Sequence, residues 1–369
     1  VSTDTRKIEK DSLFVALKGE NFDANTFAKE ALEKGAKYVI IDNPNYKIDD
    51  RTLLVENSLV ALQELAKHHR NYLSIPIIAL TGSNGKTTTK ELIHAVLSKK
   101  HKTLATIGNL NNHIGVPLTL LRFTKATEIG IVEMGANHQK EIEFLCEIAQ
   151  PDYGYITNFG KAHLEGFGGL EGVIKGKSEM YDYLRKNKKI VFINLDDVIQ
   201  KEKATAIKQF SFSLNESNVN VKIDKVEANP MVKISYNNLL INSHLIGIYN
   251  ANNINAAIAI GNYFKVSDEQ IKEAIENYIP GNNRSQLIQK NGNEVILDAY
   301  NANPSSMLAA ITNFIQLRNN TKIAILGDMF ELGKESLSEH KRIIELLGNE
   351  VNITTYFIGK DFYANQVQN

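Results

Sequence analysis

The stretch Ile75–Leu97, IPIIALTGSNGKTTTKELIHAVL, combines two glycines, a lysine and several threonines at the spacing of a phosphate-binding loop. The apolar run PIIAL predicts a buried strand before the glycines, and TTKELIHAVLSKK after them has the apolar spacing of a helix. Since the N–H groups and the dipole at a helix start attract anionic oxygens, we expect this turn to bind phosphates. The predicted loop residues are Thr81, Gly82, Ser83, Asn84, Gly85, Lys86 and Thr87.

Two side chains of this loop have specific expected roles. Lys86 would reach the β and γ phosphates of a bound nucleotide, and the Thr87 hydroxyl would contact Mg²⁺. The strict pattern G-x-x-x-x-G-K-[ST] requires a glycine where this sequence has Leu80, so we expect a shorter or differently curved loop. The alternative interpretation is an ordinary helix N-terminus beside a surface lysine. The position of the motif between a predicted strand and a predicted helix favours the phosphate loop.

A metal that accompanies nucleotide phosphates needs oxygen ligands, and carboxylates commonly supply them. Glu133 follows the apolar strand of IGIVEMGANH, at the carboxyl end where ligand sites of open α/β sheets lie. We therefore expect Glu133 to be a metal ligand. His163 lies in the glycine-rich segment TNFGKAHLEGFGG after the predicted strand YGYI. A single histidine in a loop is either a ligand or a structural residue, and residue type alone leaves both open.

Two further segments carry candidate residues whose roles stay open. VIKGKSEMYDYL places Lys175 and Lys177 on a predicted helix, and nothing in the residue types distinguishes either from a surface lysine. The asparagine-rich segment GNLNNHIGVPLTLL contains Asn111 and Asn112. Their carboxamides would suit a polar substrate, but they would equally suit a turn.

Short β-branched strands alternate with helical segments through most of the chain, which predicts an α/β fold with parallel strands. We assign a first unit to residues 1–74, with SLFVAL, FAKEALEKGA, YVIID, TLLVE and SLVALQELAKHHRNYL. Pro76 then opens a central unit, residues 75–280, with further strands EIGIVEM, YGYITNF and KIVFINL. Alternating sequence from Phe210 to Ile246 predicts a small antiparallel patch, and Asn250 to Phe264 predicts a helix.

The third unit, residues 281–369, follows the turn-rich segment IPGNNRSQ. The series EVILD, SSMLAAITNFIQL, KIAILGD, SLSEHKRIIELLG and NITTYFIG predicts β-α-β-α-β, as in Rossmann-like domains. Asp298 in VILDAYNANP and Asp328 in IAILGDMFELG each follow an apolar strand. Each is a candidate contact for ribose hydroxyls or a bound amine, or a cap for the next helix.

Composition narrows the function classes further. Hydrophobic residues make up 43% of the 369 residues and charged residues 23%, as in ordinary globular proteins. Lys+Arg and Asp+Glu both number 42, so no bulk attraction to nucleic acid or an anionic membrane is indicated. The single cysteine, Cys146, excludes an internal disulfide and a cysteine-based zinc site. No apolar run approaches the ~20 residues of a membrane span, and the N-terminus lacks a signal-peptide pattern. We therefore expect a cytoplasmic protein.

Several motifs occur together in an order that resembles the Mur ligases. They are TGSNGKTTT, GNLNNHIGVPLTLL, EMGANH, AHLEGFG with KSE, DAYNANPSSM and LGDMFELG. The resemblance runs from about Asp4 to about His340. It implies three α/β domains: a uridine-binding domain, a central ATPase domain with a parallel sheet, and a Rossmann-like domain, incomplete here. YNANPSS is typical of the members that join D-alanyl-D-alanine to UDP-N-acetylmuramoyl tripeptide with ATP and Mg²⁺.

The resemblance also implies roles for individual residues. Lys86, Glu133, His163 and Lys177 match catalytic positions, with Thr87 among the metal ligands and Lys177 as a carbamoylated lysine that bridges to metal. The KSE alignment alone selects Lys177 over Lys175. Arg284 and Asp298 match a phosphate contact and a ribose contact, and Asn250 and Asn253 adenine contacts, although Tyr249 replaces the family's histidine beside them. The expected substrate contacts are Thr5 and Arg6 for the UDP-sugar, Asn111 and Asn112, and Asn301 and Asn303 for the dipeptide.

Another amide ligase on the same core, such as the Mur ligase for the third peptide residue or a folylpolyglutamate-synthase-like enzyme, is the main alternative, and DAYNANPSSM argues against it. A P-loop ATPase or kinase would not account for the asparagine-rich stretch or YNANP. A binding protein without activity would be expected to lose Lys86, Glu133 or Lys177. The resemblance implies a monomer, although the sequence itself does not settle the oligomeric state, and it does not distinguish meso-diaminopimelate from lysine as the third residue of the peptide.

Overall fold

The computed structural model describes residues 1–281, 283–318 and 321–365. The first part of the chain forms a small α/β unit around a parallel sheet of order β1-β4-β5, with a separate β2-β3 hairpin. Phe14, Val39 and Ile41 form its core with the alanines of the first helix. Its elements are β1 (Leu13–Val15), β2 (Lys18–Gly19), β3 (Phe22–Asp23), α1 (Ala28–Glu33), β4 (Tyr38–Ile41), β5 (Thr52–Leu54) and α2 (Ser58–Leu73).

The centre of the molecule is a seven-stranded sheet of order β12-β11-β10-β9-β6-β8-β7, and all of its described pairings are parallel. Every residue of β6 and β8 is buried, as expected for strands covered on both faces. The elements up to the last strand are β6 (Ile77–Thr81), α3 (Lys86–Leu97), β7 (Thr103–Ala105), α4 (Gly115–Leu120), β8 (Ile129–Glu133), α5 (Glu141–Ala149), β9 (Tyr153–Ile156), α6 (Leu164–Phe167), α7 (Leu170–Lys186), β10 (Ile190–Asn194), α8 (Val198–Lys203), β11 (Lys208–Ser213) and β12 (Val221–Lys222).

Helices cover both faces of this sheet and divide its core into two apolar clusters. One cluster contains buried residues of α4, α5 and α7, and the other contains those of α3 and of two helices that follow the sheet. These are α9 (Ala251–Tyr263) and α10 (Asp268–Glu276). An antiparallel sheet, β13 (Lys225–Ala228), β14 (Met231–Tyr236) and β15 (Leu239–Ile246), packs with them. The predicted helix from Asn250 to Phe264 is confirmed as α9.

The predicted antiparallel patch from Phe210 to Ile246 was too long. Its first part, FSFSL, belongs to β11, which pairs in parallel with β10 from Ile190↔Lys208 to Asn194↔Phe212. The short helix α8 supplies the crossover that a parallel pairing requires. Phe210 also packs edge-on against Phe192 of β10. The antiparallel sheet therefore begins only at Lys225.

The last part of the chain combines a hairpin with a parallel strand pair. Its elements are β16 (Gln286–Lys290), β17 (Asn293–Leu297), α11 (Pro304–Gln316), β18 (Lys322–Gly327), α12 (Ser336–Gly348), β19 (Ile353–Ile358) and α13 (Lys360–Ala364). The predicted order β-α-β-α-β from EVILD onward is confirmed, but its first strand does not follow the parallel pairing of a Rossmann-like sheet. This strand, β17, pairs antiparallel with β16 across Asn291 and Gly292, both at positive φ. Asn-Gly is the preferred two-residue hairpin loop. β18 and β19 are parallel, as predicted.

The general fold class is confirmed as three α/β parts with a central parallel sheet. Among the described residues, no helix is long and apolar enough to cross a membrane.

Candidate active site

A cleft of about 690 Å³ lies at the carboxyl end of the seven-stranded sheet, between the central and third parts of the chain. This is where open α/β sheets bind ligands. Most of the predicted site residues line it. They are Ser83, Asn84, Gly85, Lys86, Thr87, Asn111, Asn112, Glu133, His163, Asn250, Asn253, Arg284, Asp298, Asn301 and Asn303. Thr81, Gly82, Lys177, Thr5 and Arg6 are absent from the lining.

The predicted phosphate loop, Thr81 to Thr87, is a strand-to-helix turn between β6 and α3. Gly82 and Gly85 have φ of 145° and 78°, a backbone region that strains other residues. A Cβ at Gly82 would collide with the Thr157 hydroxyl, and one at Gly85 with the Asn253 carboxamide. Thr157 and Asn253 thus approach the loop too closely for a side chain at either glycine. Both positions require glycine for this reason as well as for their positive φ.

The Lys86 ammonium lies over the loop that precedes it. Its Nζ donates to the carbonyl oxygens of Gly82 at 2.8 Å and Ser83 at 3.2 Å. Burial lowers the pKa of Lys86, and the Glu133 carboxylate opposes that effect. The side chain is therefore held at the loop by backbone acceptors, within the part of the cleft where phosphates would sit.

Glu133, the last residue of β8, is almost fully buried at the base of the cleft. Its Oε1 accepts hydrogen bonds from Asn111 Nδ2 at 2.8 Å and from the Thr87 hydroxyl at 3.3 Å. Its Oε2 has no hydrogen-bond partner in the part of the chain that the structure describes. An unpaired buried carboxylate oxygen costs free energy, so this atom is a strong candidate for a ligand contact.

Lys175 and Lys177 lie on the same helix, α7, in opposite environments. Lys175 is exposed, whereas Lys177 is fully buried. The Lys177 Nζ lies 5.2 Å from the centre of the Phe167 ring and lacks a hydrogen-bond partner among the described residues. Burial lowers the pKa of Lys177 well below its usual value, and the Lys86 charge contributes in the same direction. Of the two lysines, only Lys177 has the environment of a neutral amine.

His163 lies in the loop after β9 and contacts the third part of the chain. Its Nδ1 pairs with the Glu331 carboxylate, and Glu331 also accepts a backbone hydrogen bond from Glu165 at 3.1 Å. Burial lowers the pKa of His163, although Glu331 raises it. The pairing of Nδ1 leaves Nε2 as the ring atom available to a ligand. The sequence prediction did not include Glu331.

Two of the predicted asparagine contacts have clear structural roles. Asn111 donates to Glu133, as described above. The Asn112 Oδ1 accepts the backbone N–H groups of Ile114 at 3.1 Å and Gly115 at 2.9 Å, which begins α4. Asn112 therefore fits the turn interpretation that the sequence left open, even though it lines the cleft.

On the other side of the loop, Asn250 and Asn253 are buried and bonded to each other. Asn253 Nδ2 donates to Asn250 Oδ1 at 2.8 Å, and the Asn253 Oδ1 accepts the Thr89 hydroxyl of α3 at 3.0 Å. They tie α9 to the helix of the phosphate loop. Tyr249 beside them forms a 2.8 Å hydrogen bond between its hydroxyl and that of Ser285.

Arg284 and Asp298 lie on the wall of the cleft that the third part of the chain forms. The Arg284 guanidinium stacks on the Tyr300 ring at 3.8 Å, and its Nε has no hydrogen-bond partner in the described residues. Asp298 Oδ1 accepts the Ser285 N–H at 3.3 Å. A stacked, partly unpaired guanidinium suits recognition of an anion. The contact with Tyr300 was not predicted.

The remaining candidates differ in position. Asn301 is exposed and its Oδ1 accepts the N–H of Ala302, whereas Asn303 is buried and caps α11. Asp328 does not line the cleft. Its carboxylate accepts the N–H groups of Asp361 at 3.0 Å and Phe362 at 2.9 Å, so it caps α13 rather than the next helix.

Thr5 and Arg6 lie in the first part of the chain, outside the cleft lining. The Arg6 guanidinium forms two 2.9 Å hydrogen bonds to the Asp4 carboxylate and is 85% exposed. This pairing with Arg6 lowers the pKa of Asp4 to about 2. The structure therefore does not bring these two residues together with the phosphate loop.

Three family models cover most of the chain. The model described as Mur ligase middle domain matches residues 80–261, the model described as Mur ligase family, catalytic domain, matches residues 1–70, and the model described as Mur ligase, glutamate ligase domain, matches residues 283–367. The chain belongs to the Mur ligase family. Its phosphate loop, Glu133 and Lys177 all lie within the residues matched by the Mur ligase middle domain.

Relatives within the family narrow the resemblance. A UDP-N-acetylmuramoyl-tripeptide–D-alanyl-D-alanine ligase from Bacillus subtilis is 37% identical over 92% of this chain and 76% of its own length. A solved MurF structure from Acinetobacter baumannii matches with a TM-score of 0.88 at 34% identity, over 99% of this chain and 81% of that one. MurF ligase from Thermotoga maritima in complex with ADP matches with a TM-score of 0.84 at 27% identity, over 100% of this chain and 86% of that one.

Proposed function

We propose that this Mur ligase uses ATP to join D-alanyl-D-alanine to the carboxylate of UDP-N-acetylmuramoyl tripeptide, a step of peptidoglycan precursor synthesis. The observation that carries the proposal is the set of buried polar groups around the phosphate loop. The Glu133 carboxylate raises the pKa of Lys86 and the Lys86 charge lowers the pKa of Lys177, and Glu133 Oε2 and Lys177 Nζ lack protein partners among the described residues. Relatives named for this reaction align with more than nine tenths of this chain at 37% identity.

The reaction explains why these residue types are needed. An amine does not displace oxygen from a carboxylate, so the γ-phosphoryl group of ATP is first transferred to that oxygen and ADP leaves. The amine nitrogen of the dipeptide then attacks the carbonyl carbon of the acyl phosphate and loses a proton. Collapse of the tetrahedral intermediate expels phosphate and forms the amide. Lys86 and the loop N–H groups stabilise the charge that develops on the transferred phosphoryl group.

The chemistry of the donor set fits Mg²⁺. The Thr87 hydroxyl and the Glu133 carboxylate are hard oxygen donors 3.3 Å apart, with Glu133 Oε2 unpaired among the described residues. His163 and a carbamate on Lys177 complete the proposed ligands. The described residues contain no group of three or more His, Cys, Asp or Glu side chains arranged around a metal. Mg²⁺ usually takes one or two carboxylates together with phosphates and waters, and Glu133 would supply one. Bound Mg²⁺ supplies charge neutralisation for the phosphates.

Lys177 is the proposed carbamoylated lysine. Carbamate formation requires a neutral amine, whose nitrogen attacks CO₂ and then loses a proton. The buried Lys177 meets that requirement because desolvation lowers its pKa, whereas Lys175 is exposed. The carbamate would convert an unpaired buried amine into an anion, and the Lys177 charge already lowers the pKa of His163, another proposed ligand.

The remaining contacts divide the ligands among three domains, which we propose to be residues 1–74, 75–280 and 281–369. In ATP, Asn250 and Asn253 would contact the adenine. Arg284 would contact a phosphate, and Asp298 the ribose. Thr5 and Arg6 would meet the UDP-sugar, and Asn111 with Asn301 would contact the peptide substrates. Asn112 and Asn303 are engaged by backbone groups in the structure, so their roles as substrate contacts are the least supported. We propose a cytoplasmic, monomeric enzyme.

The deciding experiment measures phosphate release by the purified chain with ATP·Mg²⁺ and UDP-N-acetylmuramoyl tripeptide, with and without D-alanyl-D-alanine. Tripeptides containing meso-diaminopimelate and lysine are both tried. Release that requires both substrates and is lost in Lys86→Ala supports the ligase and identifies its third-residue preference. Release that does not depend on the dipeptide would instead favour another amide ligase or an ATPase on this core.

A further inference from the structure

The phosphate loop and the third domain are joined by a reciprocal pair of carboxamides. Asn303 Nδ2 donates to Asn84 Oδ1 at 2.7 Å, and Asn84 Nδ2 is 3.4 Å from Asn303 Oδ1. The two residues are 219 positions apart in sequence. Asn303 is 8% exposed and Asn84 is half-buried, so this pair is partly shielded from water. Hydrogen bonds in such a setting are costly to leave unmade.

Asn84 is held firmly on its own side of the contact. Its N–H donates to Asn158 Oδ1 at 3.0 Å, and its carbonyl oxygen accepts the Thr157 hydroxyl at 2.6 Å and Asn158 Nδ2 at 3.1 Å. With the backbone fixed in this way, the carboxamide side chain is the part of Asn84 that remains free to contact another domain. It lies in the middle of the phosphate loop.

Most of the hydrogen-bonding capacity of Asn303 is used within the protein. Its Oδ1 accepts the Ser306 N–H at 2.9 Å, which caps α11, and its backbone N–H donates to the Ser306 hydroxyl at 3.1 Å. With the Asn84 contacts, both carboxamide atoms are engaged. The side-chain oxygen has no acceptor capacity left, whereas Nδ2 uses one of its two hydrogens for Asn84 and keeps the other.

Neighbouring contacts place the carboxamide pair within a seam between the two domains. The Lys161 N–H donates to the Ser305 hydroxyl at 2.8 Å, and the Lys161 ammonium pairs with the buried Glu339 carboxylate. Gly160, beside Lys161, exchanges hydrogen bonds with the Ser83 hydroxyl at 2.8 and 2.9 Å. The phosphate loop therefore contacts the third domain directly through Asn84 and indirectly through Gly160 and Lys161.

We propose that Asn84 and Asn303 form a positioning pair that sets the third domain against the phosphate loop. The inference rests on the proposed function, in which the acyl phosphate forms at the loop while the third domain presents the amine. Attack requires the amine nitrogen to lie about 3 Å from the carbonyl carbon. A contact that fixes the distance between these two domains therefore contributes to the ligation step without touching the reacting atoms.

The test is a double-mutant cycle on the ligation reaction. Asn84→Ala removes one carboxamide, and Asn303→Ser removes the other but keeps a good helix cap, since serine is favoured at this position. We expect each single variant to lower kcat/KM for the dipeptide about tenfold, and the double variant to fall about tenfold as well, because the pair is lost only once. A drop of about 100-fold in the double variant would show independent roles and overturn the proposal.

Two further variants sharpen this cycle. Asn303→Asp keeps the cap and can still accept one hydrogen bond from Asn84, so its activity should lie between those of wild type and Asn303→Ser. Asn349→Ala changes an exposed third-domain asparagine that only donates to the Glu345 carbonyl, and it should match wild type. An Asn303→Asp variant no better than Asn303→Ser would count against the paired geometry.

Hydrogen exchange gives a readout that does not depend on activity. Asn303→Ser should increase exchange in residues 82–88, and Asn84→Ala should increase exchange in residues 303–308, because each removes a contact across the seam. Changes confined to the mutated segment would overturn the positioning pair. If wild type fails to ligate the dipeptide, the proposed function fails, and the exchange result still decides whether this contact exists.

Discussion

The central domain and the first domain present their candidate side chains in opposite states. In the central domain, Glu133 Oε2 and Lys177 Nζ are buried and lack hydrogen-bond partners in the described part of the chain. In the first domain, Arg6 is 85% exposed and both of its bonded nitrogens lie against the neighbouring Asp4. Polar groups that are buried and unpaired destabilise the fold, whereas an exposed ion pair contributes little either way.

This difference separates two kinds of binding site. The central site is built before its ligands arrive, and the protein bears the free-energy cost of keeping polar atoms unpaired. The first-domain site must instead exchange an existing contact for a ligand contact. Substitutions that remove the unpaired groups of the central domain should therefore change activity and stability in opposite directions, and substitution of Arg6 should change binding alone.

The largest expected effect follows from Lys177→Met. Methionine is unbranched and fits a similar apolar space, so it removes the unpaired amine without opening a large cavity. We expect ligation to fall by at least about 10²-fold, because the proposed carbamate ligand of Mg²⁺ is lost. The free energy of unfolding should rise by about 1–3 kcal/mol, because a buried unsatisfied group is removed. Activity assays and denaturant unfolding measure the two effects.

The rise in the free energy of unfolding expected for Lys177→Met depends on pH through the pKa of Lys177. Burial lowers that pKa well below 10.5, so the unfolded chain binds a proton that the folded chain does not, and wild-type stability rises as pH rises toward 10.5. The advantage of Lys177→Met should therefore shrink between about pH 8 and about pH 10 in CO₂-free buffer. Lys175→Met is the matched control, since Lys175 is exposed. Equal effects of both substitutions would contradict the assignment of Lys177.

Much of the central domain could be predicted because its signals are local. The β-branched runs that became β6, β8, β9 and β10 are buried on both faces, and such strands are apolar throughout. The glycines of the phosphate loop occupy conformations that only glycine adopts without strain. Sequence and structure agree where the determining interactions lie within a few residues.

The choice between Lys175 and Lys177 could not be made in the same way. Both residues lie on one helix, and the burial of Lys177 depends on packing of α7 against Phe167 and the rest of the central core. The contacts of Glu331 with His163 and of Asn303 with Asn84 could not be predicted either, because they join segments that are distant in sequence. The β16–β17 hairpin, in contrast, could have been predicted from the Asn-Gly dipeptide between its strands, which the sequence analysis did not use.

A smaller effect is expected for Arg6→Ala in the first domain. If Arg6 exchanges Asp4 for the UDP-sugar, KM for the UDP-linked substrate should rise about tenfold, the loss expected for one charge-assisted contact, with kcat unchanged. The melting temperature should stay the same, because the side chain is exposed. The pKa of Asp4, now about 2, should rise toward its ordinary 3.8, since Arg6 is the main cause of its depression. An unchanged KM would remove Arg6 from the substrate contacts.

The smallest effect concerns Asn112, which lines the cleft but bonds the backbone of Ile114 and Gly115. Asn112→Asp retains the acceptor oxygen. It should therefore leave the free energy of unfolding unchanged and KM within about twofold of wild type, as expected when only the capping oxygen matters. Asn112→Ala removes the acceptor and should lower the free energy of unfolding by about 1 kcal/mol. A large rise in KM for the Asp variant at unchanged stability would show that the carboxamide N–H₂ group binds substrate. In that case Asn112, despite its engaged oxygen, would join the unpaired groups of the central domain as a ligand contact.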